Sequence, residues 1–299
     1  MKIGLIPNIS KEDILDVVTI LIQKLSANDI EYVLSNSLKE LKMKFNKSIN
    51  NSEFMGHKEL SESCDILISI GGDGTMLNTA FEARESNIPM LGLNFGKLGF
   101  LAEFDMKSLD KFIEDLRTGN YEVEERMALE GWTNYKSEEK MFAINDIVID
   151  KGGWPKMIQM TIKVDNEYVT TFSADGVIIA TPTGSTGYSL STGGPIVNPK
   201  SDVITLSPIS PHSLTMRPLV LSSKQKISIE VESHHTSVQV NCDGNRVYSF
   251  SPPLIVEVCK KAKGVKLVHT DSTNYFEILR NKLFWGLDVR NKPHHNEGK

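Results

Sequence analysis

The sequence predicts two unlike parts: an N-terminal α/β domain on a parallel sheet, then an antiparallel β domain, with a last helix returning to the first. Three observations carry this. Up to about residue 118, strand-like and helix-like runs alternate, and the strands are apolar on both faces, as in a parallel sheet covered on both sides. From about residue 121, short runs follow closely and several alternate apolar with polar residues, the period of an antiparallel strand with one buried face. Near the end, NYFEILRNKLFWGL reads as helix again. The expected domains are 1–122, with 269–299 packing back onto it, and 123–268.

KIGLIPN opens as a strand, and Ser10 with Asp13 makes a capping-box-like helix start. The helix is marked by Ile14, Val18, Leu21, Ile22 and Leu25 at helical spacing. IEYVLS at 30–35 is the next strand, followed by a polar, partly helical stretch from 36 to 63 and the continuous apolar run DILISI. GGDGT, a helix around Met76–Ser86, the strand PMLGLN and a helix near 107–118 complete the first part. In the second, VDNEY and NCDGN have the Asn, Asp and Gly that tolerate the positive φ of hairpin turns.

With 299 residues, 40% hydrophobic and 24% charged, the composition is that of an ordinary globular protein. No stretch approaches the ~20 apolar residues of a membrane-spanning helix. The N-terminal residues lack a signal peptide's apolar segment and cleavage site. Cys64, Cys242 and Cys259 are scattered and odd in number, which argues against a disulfide framework. His234–His235 and His294–His295 lack the i, i+4 spacing of a helical metal site. A net charge of −5 without a basic run argues against nucleic-acid binding. These features fit a cytoplasmic enzyme with no membrane partner; an anionic small ligand would need local positive potential from backbone N–H groups, a helix N-terminus or a metal.

Gly71-Gly72-Asp73-Gly74-Thr75 lies between a buried strand and a helix. Glycines there permit close approach and unusual backbone angles, and the helix start offers free N–H groups to phosphate. Asp73 would repel a phosphate held nearby, but it suits a base for an attacking hydroxyl or an organiser of Mg²⁺. A tight turn with Asp as helix cap is the plain alternative. Walker, protein-kinase and Rossmann motifs are missing; Leu77 stands where the last would have its third glycine.

SADGVIIATPTGSTGYSLSTGGPIV, residues 173–197, sets Asp175 before an apolar strand and then a run of Thr, Ser and Gly. Small hydroxyl residues can surround a polyhydroxylated, phosphorylated ligand, and Tyr188 can stack on a base or ribose. A flexible linker is the competing reading, opposed by the stiff Thr-Pro-Thr and Gly-Gly-Pro. The pair Asn145-Asp146 in MFAINDIVID must turn one polar side chain inward unless the strand is interrupted. Asn94-Phe95-Gly96-Lys97-Leu98-Gly99-Phe100 follows a parallel strand, where ligands commonly bind, and His212 and Arg217 are weaker phosphate candidates.

In that order, GGDGT, NFGKLGFL, the Asn-acidic pair, ADGVIIATPTGSTGYSLSTGGP, PHSLTMRPLVL and CDGN resemble the NAD kinases, from the first strand through WGLDVR at 285–290. The resemblance implies transfer of the terminal phosphoryl of ATP, or of polyphosphate, to the adenosine 2′-hydroxyl of NAD. It implies Asp73 as general base, Gly71, Gly72, Gly74 and Thr75 at the donor phosphates, and Mg²⁺ or another divalent ion held through those phosphates rather than by side chains. Asp73 and Gly74 would also touch NAD. Asn145 and Asp146 match the pair holding its ribose or adenine, with Asp146 one methylene shorter than the family's usual Glu. Asp175 resembles a carboxylate near the nicotinamide, and Thr186, Gly187, Tyr188 and Ser191 the dinucleotide-binding run, where Ala often replaces Gly187. Phe100 resembles an adenine-pocket residue and Asn245 a polar contact. A homodimer or homotetramer is implied. Two other readings stay open: a lipid or sugar kinase on the same GGDGT scaffold, and a non-catalytic nucleotide sensor.

Overall fold

The computed structural model describes residues 1–94, 99–102, 104–135, 140–270 and 274–286. The first part of the chain runs β1 (Lys2–Pro7), α1 (Ile14–Ala27), β2 (Glu31–Ser35), α2 (Lys47–Asn50), β3 (Phe54–Met55), α3 (His57–Ser63) and β4 (Ile66–Ile70). It continues with α4 (Asp73–Glu82), β5 (Met90–Asn94), β6 (Phe104–Asp105), α5 (Leu109–Thr118) and β7 (Glu122–Arg126). Then come β8 (Leu129–Thr133), β9 (Met141–Ala143), β10 (Asp146–Asp150), β11 (Ile158–Val164), β12 (Glu167–Ala174), β13 (Gly176–Ala180) and α6 (Tyr188–Ser191). The rest is β14 (Val203–Ile209), β15 (Leu219–Ser222), β16 (Ile227–Glu232), β17 (Val238–Cys242), β18 (Arg246–Phe250), β19 (Leu254–Lys260), β20 (Val265–His269) and α7 (Tyr275–Leu283).

The first sheet has the order β3-β2-β1-β4-β5-β20-β7, with β6 beside β5. Its strands β1 to β5 pair in parallel, and β4 and β5 are buried at every residue, as their unbroken apolar runs require. β20, inside the stretch expected to be β-rich, joins this sheet between β5 and β7. Helix α1 buries Ile14, Val18, Leu21, Ile22 and Leu25 as its periodicity predicts. Its start differs: Asp13 is the N-cap without a side-chain cap bond, and Ser10 instead gives its N–H and hydroxyl to Asn8 Oδ1. The polar stretch 36–63 holds a 3₁₀ segment at Asn36–Lys44 together with α2, β3 and α3.

Two antiparallel sheets, β15-β14-β13-β10-β17-β18 and β12-β11-β16-β19-β8-β9, form a sandwich. Alternate residues of both meet in one core: Ile147, Ile149, Val177 and Ile179 from one side, and Ile158, Met160, Ile162, Ile229 and Val256 from the other. Asp165–Asn166 and Asp243–Gly244 have positive φ and turn the expected hairpins. A separate cluster joins the parts, with Met76, Leu77 and Ala80 of α4 in the same buried group as Ala128, Phe142 and Ile144.

Candidate active site

GGDGT follows β4, but the helix begins at Asp73, three residues before the expected start, so Asp73, Gly74 and Thr75 form its first turn. The N-cap is Gly72, and no side-chain oxygen covers the first N–H groups. The glycines work through space and not through unusual angles: none of Gly71, Gly72 and Gly74 is among the positive-φ glycines. A Cβ at Gly71 would lie 2.2 Å from Thr75 Oγ1, whereas one at Gly72 or Gly74 would meet nothing within 4 Å. Gly71 therefore packs the turn, and the other two leave open backbone. Thr75 Oγ1 accepts a hydrogen bond from Asn8 Nδ2 at 3.0 Å, tying the end of β1 to α4.

A cleft of about 700 Å³ opens here, lined by Asn8, Lys11, His57, Gly72, Gly74 and Thr75 from the first part and by Asn245 and Arg246 from the β17–β18 hairpin. Asn245 Nδ2 donates to Asn78 Oδ1 of α4 at 3.1 Å, bracing the hairpin on the helix. Helix N-terminus, exposed backbone and cationic side chains suit this cleft to phosphates.

The Asp73 carboxylate is held by three successive backbone amides. Phe100 donates to Oδ2 at 2.9 Å, and Leu101 and Ala102 donate to Oδ1 at 3.0 and 2.9 Å. Lys282 of α7 brings Nζ to 3.7 Å from Oδ2 and to 5.2 Å from the Phe100 ring centroid. The Asp73 side chain is still 31% exposed. Gly99 is required for the approach, since a Cβ there would fall 1.8 Å from Asp73 Oδ1. Of the NFGKLGF segment, Phe95–Leu98 lie outside the described residues.

At Asn145-Asp146 the strand is interrupted: β9 ends at Ala143 in one sheet of the sandwich and β10 starts at Asp146 in the other. Asp146 is buried, and burial together with the nearby Asp243 charge pushes its carboxyl up to about 7. After β13 the chain forms a 3₁₀ turn, Thr183–Thr186, and then α6, so the Thr/Ser/Gly run is folded. Gly184 sits against Asn145, where a Cβ would come 2.0 Å from its carbonyl oxygen, and Gly187 faces Asp146 Oδ2. Thr186 and Ser191 turn their hydroxyls to the Thr183 and Tyr188 carbonyls, and Tyr188 is 49% exposed.

Asp175 is not with this group. It precedes Gly176, which pairs with Asp150, while Asp146 pairs with Ala180 at the far end of the same ladder. Four residue steps separate those ends, about 13 Å. Asp175 forms an ion pair of 2.6 Å with Lys151. Arg217 bonds the carbonyls of Leu214 and Met216, and His212 gives its backbone N–H to Ser173; neither side chain lines the GGDGT cleft. A second cleft, about 600 Å³ beside Arg126, Lys200 and Tyr275, contains none of the sequence-predicted residues. Among the described residues, no group of three or more His, Cys, Asp and Glu is arranged to hold a metal ion.

Two participants were not among the sequence-predicted site residues: Lys282 reads as an ordinary polar position of the last helix, and Asp243 was legible only as part of the CDGN turn.

Residues 3–121 match the family model of the ATP-NAD kinase N-terminal domain, and residues 144–270 that of the ATP-NAD kinase C-terminal domain. The chain is 39% identical over 289 residues to the NAD kinase of Chlorobium phaeobacteroides strain BS1, covering 96% of this chain and 98% of that one. It is 40% identical over 287 residues to the NAD kinase of Prosthecochloris aestuarii, covering 96% and 98%. Its fold is similar to yeast NADH kinase complexed with NADH, with a TM-score of 0.88 at 26% identity over 98% of this chain and 90% of that one. An NAD kinase from Archaeoglobus fulgidus in complex with ATP shares the fold, with a TM-score of 0.74 at 24% identity over 95% and 99%.

Proposed function

The chain belongs to the ATP-NAD kinase family, and from that premise we infer how its residues divide the work. It is a phosphotransferase that converts NAD to NADP, with ATP as donor. The observation that carries the assignment of roles is Asp73: a carboxylate in the first turn of α4, anchored by amides and still partly open.

Asp73 is the general base for the adenosine 2′-hydroxyl. Oδ1 already accepts two N–H groups and Oδ2 one, so Oδ2 has the spare lone pair and receives the proton. As the 2′-oxygen bonds to the terminal phosphorus, the bond from phosphorus to the bridging oxygen breaks, and its electron pair leaves with ADP. Gly72, Gly74 and Thr75 offer backbone to the donor phosphates, helped by the open helix start. Asn145, Asp146, Thr186, Gly187, Tyr188 and Ser191 bind NAD, with Phe100 and Asn245 at the edge. A divalent ion such as Mg²⁺ fits as a passenger on the donor phosphates, since the Asp73 oxygens are largely taken by amides; when bound it neutralises phosphate charge.

We propose a homo-oligomer, and we place Asp175, about 13 Å along the ladder from the Asp146 end, at the nicotinamide end of the extended dinucleotide.

The deciding experiment measures NADP formation from NAD or NADH with ATP or polyphosphate, for the wild-type chain and Asp73→Asn. The variant should bind NAD normally and lose roughly 10²–10⁴ in turnover, the usual worth of a positioned base. Near-normal turnover would remove Asp73 from the base role.

A further inference from the structure

We propose that Asp243 is a positioning residue for the acceptor nucleotide: its buried carboxylate gathers the amides of Ile144, Asn145 and Asp146, fixes the break between β9 and β10, and thereby sets NAD affinity. The proposal rests on the reading that Asn145 and Asp146 hold NAD.

Asp243 sits in the left-handed region at φ 54° in the β17–β18 turn, a conformation that Asp tolerates and most residues do not. Its side chain is fully buried. Oδ1 accepts the N–H groups of Ile144 (3.0 Å), Asn145 (2.7 Å) and Asp146 (3.3 Å), and Oδ2 is 3.1 Å from the Ile144 nitrogen. In return, the Asp243 N–H donates to the Asp146 carbonyl at 3.0 Å. Where a strand leaves one sheet for another, its N–H groups lose their ladder partners, and a buried donor left unpaired costs as much as a lost hydrogen bond. Asp243 supplies the missing acceptor to three residues at once.

The carbonyl side of the same segment is held as well. Thr181 gives its hydroxyl to the Ile144 carbonyl and its N–H to the Asn145 carbonyl. Arg246 closes the arrangement from behind, with Nη2 2.8 Å from Asp243 Oδ2 and 3.1 Å from the Phe142 carbonyl, and with its guanidinium 4.2 Å from the Phe81 ring centroid on α4. The backbone at 144–146 thus has one permitted path, and side chains 145 and 146 can leave it in only one pair of directions.

Charge gives a second handle. Among the described residues, the charge that bears on Asp146 is that of Asp243, with Cys242 beside it and Arg246 paired to Asp243, and β13 and the following turn carry no cation. Burial and the Asp243 charge raise the Asp146 carboxyl to about 7. An ionised Asp146 accepts both ribose hydroxyls, so NAD affinity should be full above that range and fall as pH drops through it.

The test uses the full-length chain, with NAD affinity measured by calorimetry from pH 5.5 to 8.5 and thermal melting as the check on folding. Asp243→Asn keeps the shape but turns an N–H group toward an N–H group. It should weaken NAD roughly 10–100-fold, the range for hydrogen bonds to a charged group. The midpoint of the NAD pH dependence should also move to lower pH, which a merely structural role would not cause. Asp243→Ser repeats the test with a smaller side chain if the Asn variant does not fold. A folded Asp243 variant that binds NAD within two-fold of wild type, or whose pH midpoint does not move, overturns the proposal. Asn145→Ala tests the underlying reading separately: unchanged NAD affinity there would discard the acceptor site itself, whatever the Asp243 variants do.

Discussion

Asp73 and Asp243 are held in the same way and differ in what surrounds them. Each carboxylate collects the N–H groups of three consecutive residues from a distant segment, 100–102 for one and 144–146 for the other. Asp73 stands 31% exposed at a helix start with a lysine 3.7 Å away; Asp243 is fully buried with an arginine at 2.8 Å. Three amides fix a carboxylate in space in either setting, and access to the remaining lone pair decides its use. The open one can exchange a proton with a ligand. The closed one can only shape the backbone around it.

The sharpest way to break that contrast is to disturb the open set alone. Gly99→Ala would place a Cβ 1.8 Å from Asp73 Oδ1 and force the carboxylate or the amides to move. A displacement of about 1 Å at a reacting group costs on the order of 10²-fold in rate. Turnover should therefore fall about 10²-fold, with a smaller loss of NAD affinity by calorimetry, since Phe100 stands at the edge of the acceptor site. Weakened NAD binding with unchanged turnover would mean that the 100–102 amides belong to the acceptor pocket and not to the base.

The closed set is tested through its neighbour. Asp146 titrates near 7 in the fold against 3.8 ordinarily, so the folded chain holds the extra proton between those values. The contribution of Asp146 to stability is then greatest below about pH 4 and declines as pH rises to about 7. Asp146→Asn removes that ionisation. Its Tm should exceed wild type at pH 8 by about 2–6 °C, with the gap closing toward pH 4, while NAD affinity drops about ten-fold for one lost charge-assisted contact. A variant less stable at pH 8 would show that ionised Asp146 has a partner in the fold.

The two sets also explain what could be read from the sequence. Local patterns gave the apolar runs of β4 and β5, the alternation of the sandwich strands, the positive-φ turns at Asp165–Asn166 and Asp243–Gly244, and a glycine-rich turn before α4. Contacts between distant segments were hidden. VKLVH at 265–269 has the pattern of any half-buried strand, and nothing within it says that its partners are β5 and β7. Ser10 looked like a cap, but Asn8 two residues earlier takes its hydroxyl. The same limit applies at the site: GGDGT and the Asn-Asp pair are visible as motifs, whereas the amides holding Asp73 lie 27 to 29 residues away and those holding Asp243 lie 97 to 99 away.

A smaller effect is expected at the cation beside the open carboxylate. Lys282 is 31% exposed and holds its Nζ over the Phe100 ring, and its pairing with Asp73 is partly screened by solvent. Lys282→Met keeps the stem and removes the charge. Exposed ion pairs are worth up to about 1 kcal/mol, so turnover should change by no more than about five-fold. Wild type should lose the same factor in about 1 M salt, where the Debye length is near 3 Å. A hundred-fold loss in the variant would instead make Lys282 a direct contact of the transferred phosphoryl group.

The least disruptive change lies where the acceptor run faces Asp146. A Cβ at Gly187 would lie 3.2 Å from the Gly184 carbonyl oxygen and 3.8 Å from Asp146 Oδ2. Only the first distance is tight, and it asks for a shift of a few tenths of an ångström. Gly187→Ala should therefore bind NAD within about two-fold of wild type, the level of a site that is not disturbed. Gly184, whose Cβ would meet the Asn145 carbonyl at 2.0 Å, has no such room. If Gly187→Ala instead lost NAD binding ten-fold or more, the space beside Asp146 Oδ2 would have to be occupied by the ligand itself, and the acceptor would lie deeper against the buried carboxylate than the open face of Tyr188 suggests.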